Sequence, residues 1–140
     1  MKIAFATTDQ VHINAHFGWA KAINIYEVNQ DGYEFDKTLK FTGDLKEDGN
    51  EDKLVPKIKA LEGCTIVYVA AIGGSAAARI IQKGVTPIKA NSEDDVITEV
   101  LDRFVQLLNG SPPPWLRKAL QNTAKSFEDD LTDVEEEVLV

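Results

Sequence analysis

The chain of 140 residues holds a single cysteine, Cys64, and a single methionine. One thiol excludes an internal disulfide, and it excludes a cysteine set able to hold an iron–sulfur cluster unaided. A reducing, cytoplasmic setting suits that composition. No stretch approaches the roughly 18 consecutive apolar residues of a membrane-spanning helix, and the opening "MKIAFATTDQ" has too short an apolar run for a secretory signal, so neither membrane insertion nor secretion is expected. Basic clusters are missing as well. Of the formal net charge of −8, seven negative charges come from the last fifteen residues, "SFEDDLTDVEEEVLV", which carry no Lys or Arg, and the first 125 residues sit near −1. A near-neutral body without a basic stripe argues against a nucleic-acid partner, because phosphate binding needs clustered Lys and Arg. The GxxxxGK[ST] of a P-loop and the GxGxxG of a dinucleotide site are both absent, which leaves ATP and NAD unsupported.

What is present fits one α/β unit. A length of 140 residues with 44% hydrophobic content suffices for one core, here residues 1–110, followed by a Pro-rich extension and acidic tail over 111–140. "KIAFAT" (2–7) reads as a buried strand. "AINIYEV" (22–28) and "YEFDKTLKF" (33–41) alternate around the turn signal "NQDG", predicting an antiparallel hairpin with Tyr33, Phe35, Leu39 and Phe41 broadly on one face. "NEDKLVPKIKALEG" (50–63) predicts a helix with an Asn cap, acids in its first turn and Gly63 at its end; Pro56 is tolerated only near the helix start. "CTIVYVAAI" (64–72) is continuously apolar, as a central strand covered on both faces must be. A short helix, "GGSAAARIIQKG" (73–84), and a brief edge strand, "VTPIKA" (85–90), follow. "SEDDVITEVLDRFVQLLNG" (92–110) predicts a helix capped by Ser92 with three acids in its first turn. A hairpin followed by right-handed crossovers yields a mixed five-stranded sheet, order 3-2-1-4-5, flanked by helices. Beyond it, "SPPPWLRKAL" places three prolines before a short helical piece, whose Trp115 and Leu116 either fold back on the body or reach toward a partner. The acidic end reads as an extended solvated tail or as a docking segment for a basic surface.

Three places carry candidate chemistry. Both histidines, His12 and His16, lie in "VHINAHFGWA", in the loop after the first strand. Strand ends are where α/β sheets put ligands, and an imidazole on a loop can be offered to a metal and withdrawn; plain solvation is the alternative. At "AIGGSAAAR", Gly73 and Gly74 run straight from strand into helix, pointing backbone N–H groups and the positive helix end at an anion, or serving only as a tight turn. Arg79 and Lys83 add charge there or form a solvated face. Cys64 is either a buried, inert thiol or a soft ligand, the latter only if it reaches the surface that holds the histidines. The strand order matches the ribonuclease H fold, whose nucleases hold divalent metal with carboxylates on the first and central strands. "KIAFAT" and "TIVYVAAI" contain none, and no third group orients a Cys–His pair, so hydrolysis with His16 as general base finds little support.

Taken in order, "MKIAFATTD", "HFGWAKAINIYEV", "LEGCTIVYVAAIGGSAAARIIQKGVTPIK" and "NGSPPPWLRKAL" resemble the NifX/NafY family of nitrogenase cofactor-assembly proteins, over residues 1 to about 120. The resemblance implies a ribonuclease H-like core with no enzymatic activity, acting as small carrier and store for the iron-molybdenum cofactor or its iron–sulfur precursor. The cluster would pass between NifB and a NifEN-type scaffold, on a monomer or weak dimer. It further implies His16, in the HFG triplet, as principal metal ligand, with His12 a lesser match; the residues themselves add Cys64 as an auxiliary ligand and Gly73, Gly74 and Arg79 beside the cluster's negative charge. A competing reading is a non-catalytic interaction or regulatory module of the nitrogen-fixation system, in which Trp115 and the acidic tail make the contacts.

Overall fold

The computed structural model describes residues 1–41 and 54–121. The strand β1 (Lys2–Ala6) pairs antiparallel with β2 (Ala22–Asn29) along one edge and parallel with β4 (Cys64–Val69) along the other. A strand bordered on both edges and layered on both faces has no wet side, which is why "KIAFA" is apolar without alternation. Its residues still divide by parity: Ala4 and Ala6 join Ile23, Ile25, Val67 and Val69 on one face, while Ile3 and Phe5 join Val28 and Ile66 on the other. Adding β3 (Gly32–Lys40) beside β2 and β5 (Thr86–Lys89) beside β4 gives the sheet order β3-β2-β1-β4-β5 among the described residues, the mixed α/β topology expected. Two helices, α1 (Leu54–Ala60) and α2 (Gly74–Gln82), cover the first face through Ile58, Ala76 and Ile80. The second face is covered by α3 (Ile97–Asn109) through Ile97, Val100, Leu101 and Phe104. The connection after α1 closes at Gly63, whose φ of +87° is a left-handed conformation that side-chain-bearing residues resist.

Two local features differ from the sequence expectation, and a third settles an alternative that the sequence left open. Ile25 faces Lys37 but Tyr26 faces Phe35, so Asp36 is an extra residue in β3. A bulge of this kind flips parity. Tyr33 and Phe35 therefore meet Tyr26 edge-on, at 6.1 and 5.5 Å, on the α3 face, whereas Leu39 and Phe41 pack on the opposite one. Second, α3 begins after Val96 and not at Ser92. The Ser92 hydroxyl accepts from the Asp94 N–H in a separate turn, and residues 95–97 are occupied in pairing with 11–13: the Ile13 N–H donates to Asp95 O and the Ile97 N–H to Val11 O. Third, the extension resolves in favour of folding back. Residues 114–121 form a helix, α4, whose Leu116 is buried in the α3-side core, with Ala119 buried beside the body and Trp115 edge-on to Phe104 at 6.2 Å. The Asn50 cap of the predicted 50–63 helix and the acidic tail lie outside the described residues. No described helix is long and apolar enough to cross a membrane.

Since Leu116 is fully buried in a packed cluster, Leu116→Ala is expected to cost about 2–5 kcal/mol of stability, read as a lowered urea midpoint. A midpoint equal to that of the parent chain would mean that α4 is not part of the core.

Candidate functional site

The chain leaving β1 is tied down by its own polar side chains. Buried Thr7 accepts through Oγ1 from the Gln10 N–H at 2.9 Å, and Asp9 Oδ1 accepts from the Val11 and His12 N–H groups at 2.8 Å each. Asn14 Oδ1 takes the Thr8 N–H at 2.9 Å. The polar "TTDQ" thus supplies the acceptors that a tight loop's backbone donors require. Beyond this loop the chain runs parallel to the end of β4. The Ala70 N–H donates to Ala15 O at 3.0 Å and the Phe17 N–H to Ala71 O at 2.8 Å, setting His16 opposite Ala71.

Phe17 to Trp19 form one 3₁₀ turn, anchored by the fully buried Phe17 ring. His16 caps it: its Nδ1 accepts from the Gly18 N–H at 3.0 Å. Trp19, 71% exposed, stacks on the half-buried imidazole with ring centroids 4.9 Å apart. Beneath the turn lies Lys57 of α1, only 1% exposed, which donates from Nζ to Gly18 O at 2.7 Å and Phe17 O at 3.2 Å. The turn directs these two carbonyls toward the body of the fold, and an ammonium with three donors reaches both. Burial pushes the Lys57 ammonium down to about 8.

Two residues past Ala71, Gly73 caps α2 without a side-chain hydrogen bond. Gly73 and Gly74 are exposed, and a Cβ on either would meet nothing within 4 Å. His16 and this open helix start therefore share the carboxyl end of the central parallel pair, the position at which α/β sheets bind ligands. Arg79 is in the last turn of α2, and its Nη1 is buried without a hydrogen-bond partner among the described residues. Cys64 is not brought to the site. It begins β4 opposite Lys2, seven positions before Ala71, which at ~3.3 Å per strand residue is roughly 23 Å away. It is 1% exposed, and burial pushes its thiol up to about 11, so the thiolate that a metal needs does not form there.

His12 lies on the same loop as His16, opposite Val96, with a side chain 37% exposed. Its Nδ1 is 2.6 Å from Asp9 Oδ2. The His12 N–H, the His12 ring and the Val11 N–H together hold the Asp9 carboxyl well below the usual carboxylate range. Among the described residues, no group of three or more His, Cys, Asp or Glu is placed to hold a metal ion. Asp9 and Lys57 escape a reading of the sequence. Each has an ordinary local pattern, an acid in a turn and a lysine on a short helix, and only the chain folded around them reveals their partners.

The Lys57 geometry sets a pH dependence. Between pH about 8 and about 10.4 the folded chain sheds the Lys57 proton while an unfolded lysine retains its own, so the unfolded state binds more protons and stability rises with pH. Urea unfolding at pH 7 to 10 should show the wild-type midpoint gaining on that of Lys57→Met across this window; midpoints that move in parallel would show that Lys57 is not desolvated.

Comparison with known proteins matches residues 1–107 to the family described as dinitrogenase iron-molybdenum cofactor. NifX from Herbaspirillum seropedicae is 51% identical over 121 residues, spanning 86% of this chain and 82% of that protein. The FeMo cofactor biosynthesis protein NifB of the same organism is 31% identical over 113 residues, 76% of this chain but 20% of its own length. The crystal structure of PH0822 superposes with a TM-score of 0.56 at 18% identity, over 76% of this chain and 90% of that one, a likeness of fold alone. The matched span includes the HFG turn, the Gly73–Gly74 helix start and the sheet that joins them, and this chain belongs to the dinitrogenase iron-molybdenum cofactor family.

Proposed function

We propose that the chain serves biosynthesis of the nitrogenase iron-molybdenum cofactor as a non-enzymatic carrier. It takes up a preassembled iron–sulfur precursor or the finished cofactor, and hands it from a NifB-type supplier to a NifEN-type scaffold in the cytoplasm. The observation that carries this reading is the placement of the His16 imidazole, on a turn held by Lys57, beside the open Gly73–Gly74 start of α2. A bare zinc ion is held by three or four protein ligands. A preassembled cluster brings its own sulfides and asks only for one or two imidazoles plus donors toward its negative charge, which a helix N-terminus favours. Sparse ligation suits a carrier, since every additional bond must break on transfer. His12 is the auxiliary ligand, Arg79 adds positive charge from further along α2, and Cys64, at the far end of the sheet, takes no part.

Anaerobic titration with isolated iron-molybdenum cofactor, followed by gel filtration and metal analysis, tests the assignment. Wild-type chain should elute with about one cofactor each. His16→Ala should weaken uptake by at least the roughly tenfold that loss of even an outer-shell partner costs a metal site. Undiminished uptake by that variant removes His16 from the site. Truncation after residue 121 should leave uptake intact, because the residues assigned here all precede it; loss of uptake would move binding into the tail.

A further inference from the structure

The two histidines are both held through Nδ1, but in opposite senses. His16 Nδ1 accepts a hydrogen bond from the Gly18 N–H, so in the neutral ring its one proton is on Nε2. Neither nitrogen is then free: one lone pair faces Gly18, and the other nitrogen bears hydrogen. His12 is the converse. Its Nδ1 lies 2.6 Å from a carboxylate oxygen of Asp9, and a carboxylate only accepts, so the neutral ring keeps its proton on Nδ1 and leaves the Nε2 lone pair unprotonated. A carboxylate behind a ligating imidazole is the usual device for fixing the tautomer and raising ligand basicity. Asp9 is itself fixed by the Val11 and His12 N–H groups and by the Thr7 hydroxyl at 3.2 Å.

From this contrast we infer that His12 is the first ligand of an incoming metal cluster, with Asp9 as its positioning residue, and that His16 engages only after the Gly18 N–H releases its ring. The inference rests on the carrier reading and orders its steps. In the first step a bond forms between His12 Nε2 and a cluster metal, the bond from that metal to a solvent ligand breaks, and the Nδ1 proton stays against Asp9. In the second, His16 Nδ1 gives up the Gly18 hydrogen bond and bonds to a cluster metal as a further solvent ligand of that metal leaves, the Nε2 proton staying in place, which opens the cap of the 3₁₀ turn. Capture thus depends on a side chain that needs no rearrangement, and firm holding on one that does.

The test uses pentaammineaquaruthenium(II), a complex with one exchangeable position, which reports imidazole lone pairs whether or not the chain carries a cofactor. Fragment-ion mass spectrometry should find the label on His12 ahead of His16 in the wild-type chain. In Asp9→Asn, the amide oxygen can keep the backbone N–H bonds while its NH₂ faces His12, forcing the proton to Nε2; labelling of His12 should fall roughly tenfold, with His16 unchanged. Long-range ¹H–¹⁵N correlation of the wild-type chain supplies a check that needs no variant, expecting His12 protonated on Nδ1 and His16 on Nε2. Label favouring His16, undiminished labelling of His12 in Asp9→Asn, or a wild-type His12 carrying its proton on Nε2 each overturns the inference. Those outcomes leave cofactor uptake untouched, and failed uptake leaves them untouched.

Discussion

A buried ammonium facing two inward-turned carbonyls is the constraint on which the site depends. Without Lys57, the Gly18 oxygen would lose its 2.7 Å partner and the Phe17 oxygen would keep only the Ala20 N–H at 3.4 Å, and the 3₁₀ turn would have reason to relax. With it, the turn is held from below while Phe17 plugs the core and Ala71 receives the Phe17 N–H. The His16 ring is left on top, between the Gly18 N–H and the Trp19 face. The ammonium also lies over the Phe41 ring, with Nζ 5.6 Å from its centroid, so the residue that follows the hairpin strand β3 contributes to the same support.

That support links the two layers of the molecule to one end of the sheet. On the α1–α2 face, Lys57 and the glycines of α2 meet the loop from below and beside. On the α3 face, the pairing of residues 11–13 with 95–97 holds the His12 end of the loop. A fifteen-residue connection from β1 to β2 would ordinarily be the most mobile part of such a fold. Here both ends of its binding segment are stitched to different layers, which preorganises two imidazoles on one loop while leaving their hydrogen bonds unequal.

Much of this architecture was legible in the residues themselves. "IAFA" in β1 and "IVYV" in β4 are unbroken apolar runs because they are central, and the 22–41 stretch alternates because it is a hairpin. The departures have one cause. Asp36 inserts an extra residue where β3 twists across β2, and no local pattern announces it, so the aromatic stripe divides between two faces. Ser92 and its acids form a sound local helix start, yet distant residues 11–13 claim the backbone of 95–97 and the helix waits until Ile97. Leu116 reads equally well as an anchor or as a partner contact until α3 is seen beneath it.

By itself the sequence determined the order of elements, the mixed sheet and the arrival of the HFG triplet at a strand end, because apolar periodicity and turn chemistry act over a few neighbouring residues. Tertiary structure alone decided that Cys64 faces the far end of the sheet, that Lys57 is interior, and which partner meets the Nδ1 of each histidine. Those properties belong to pairs of groups whose meeting depends on the whole chain closing around them, or on loop geometry that only the fold imposes, and no periodicity records such a meeting.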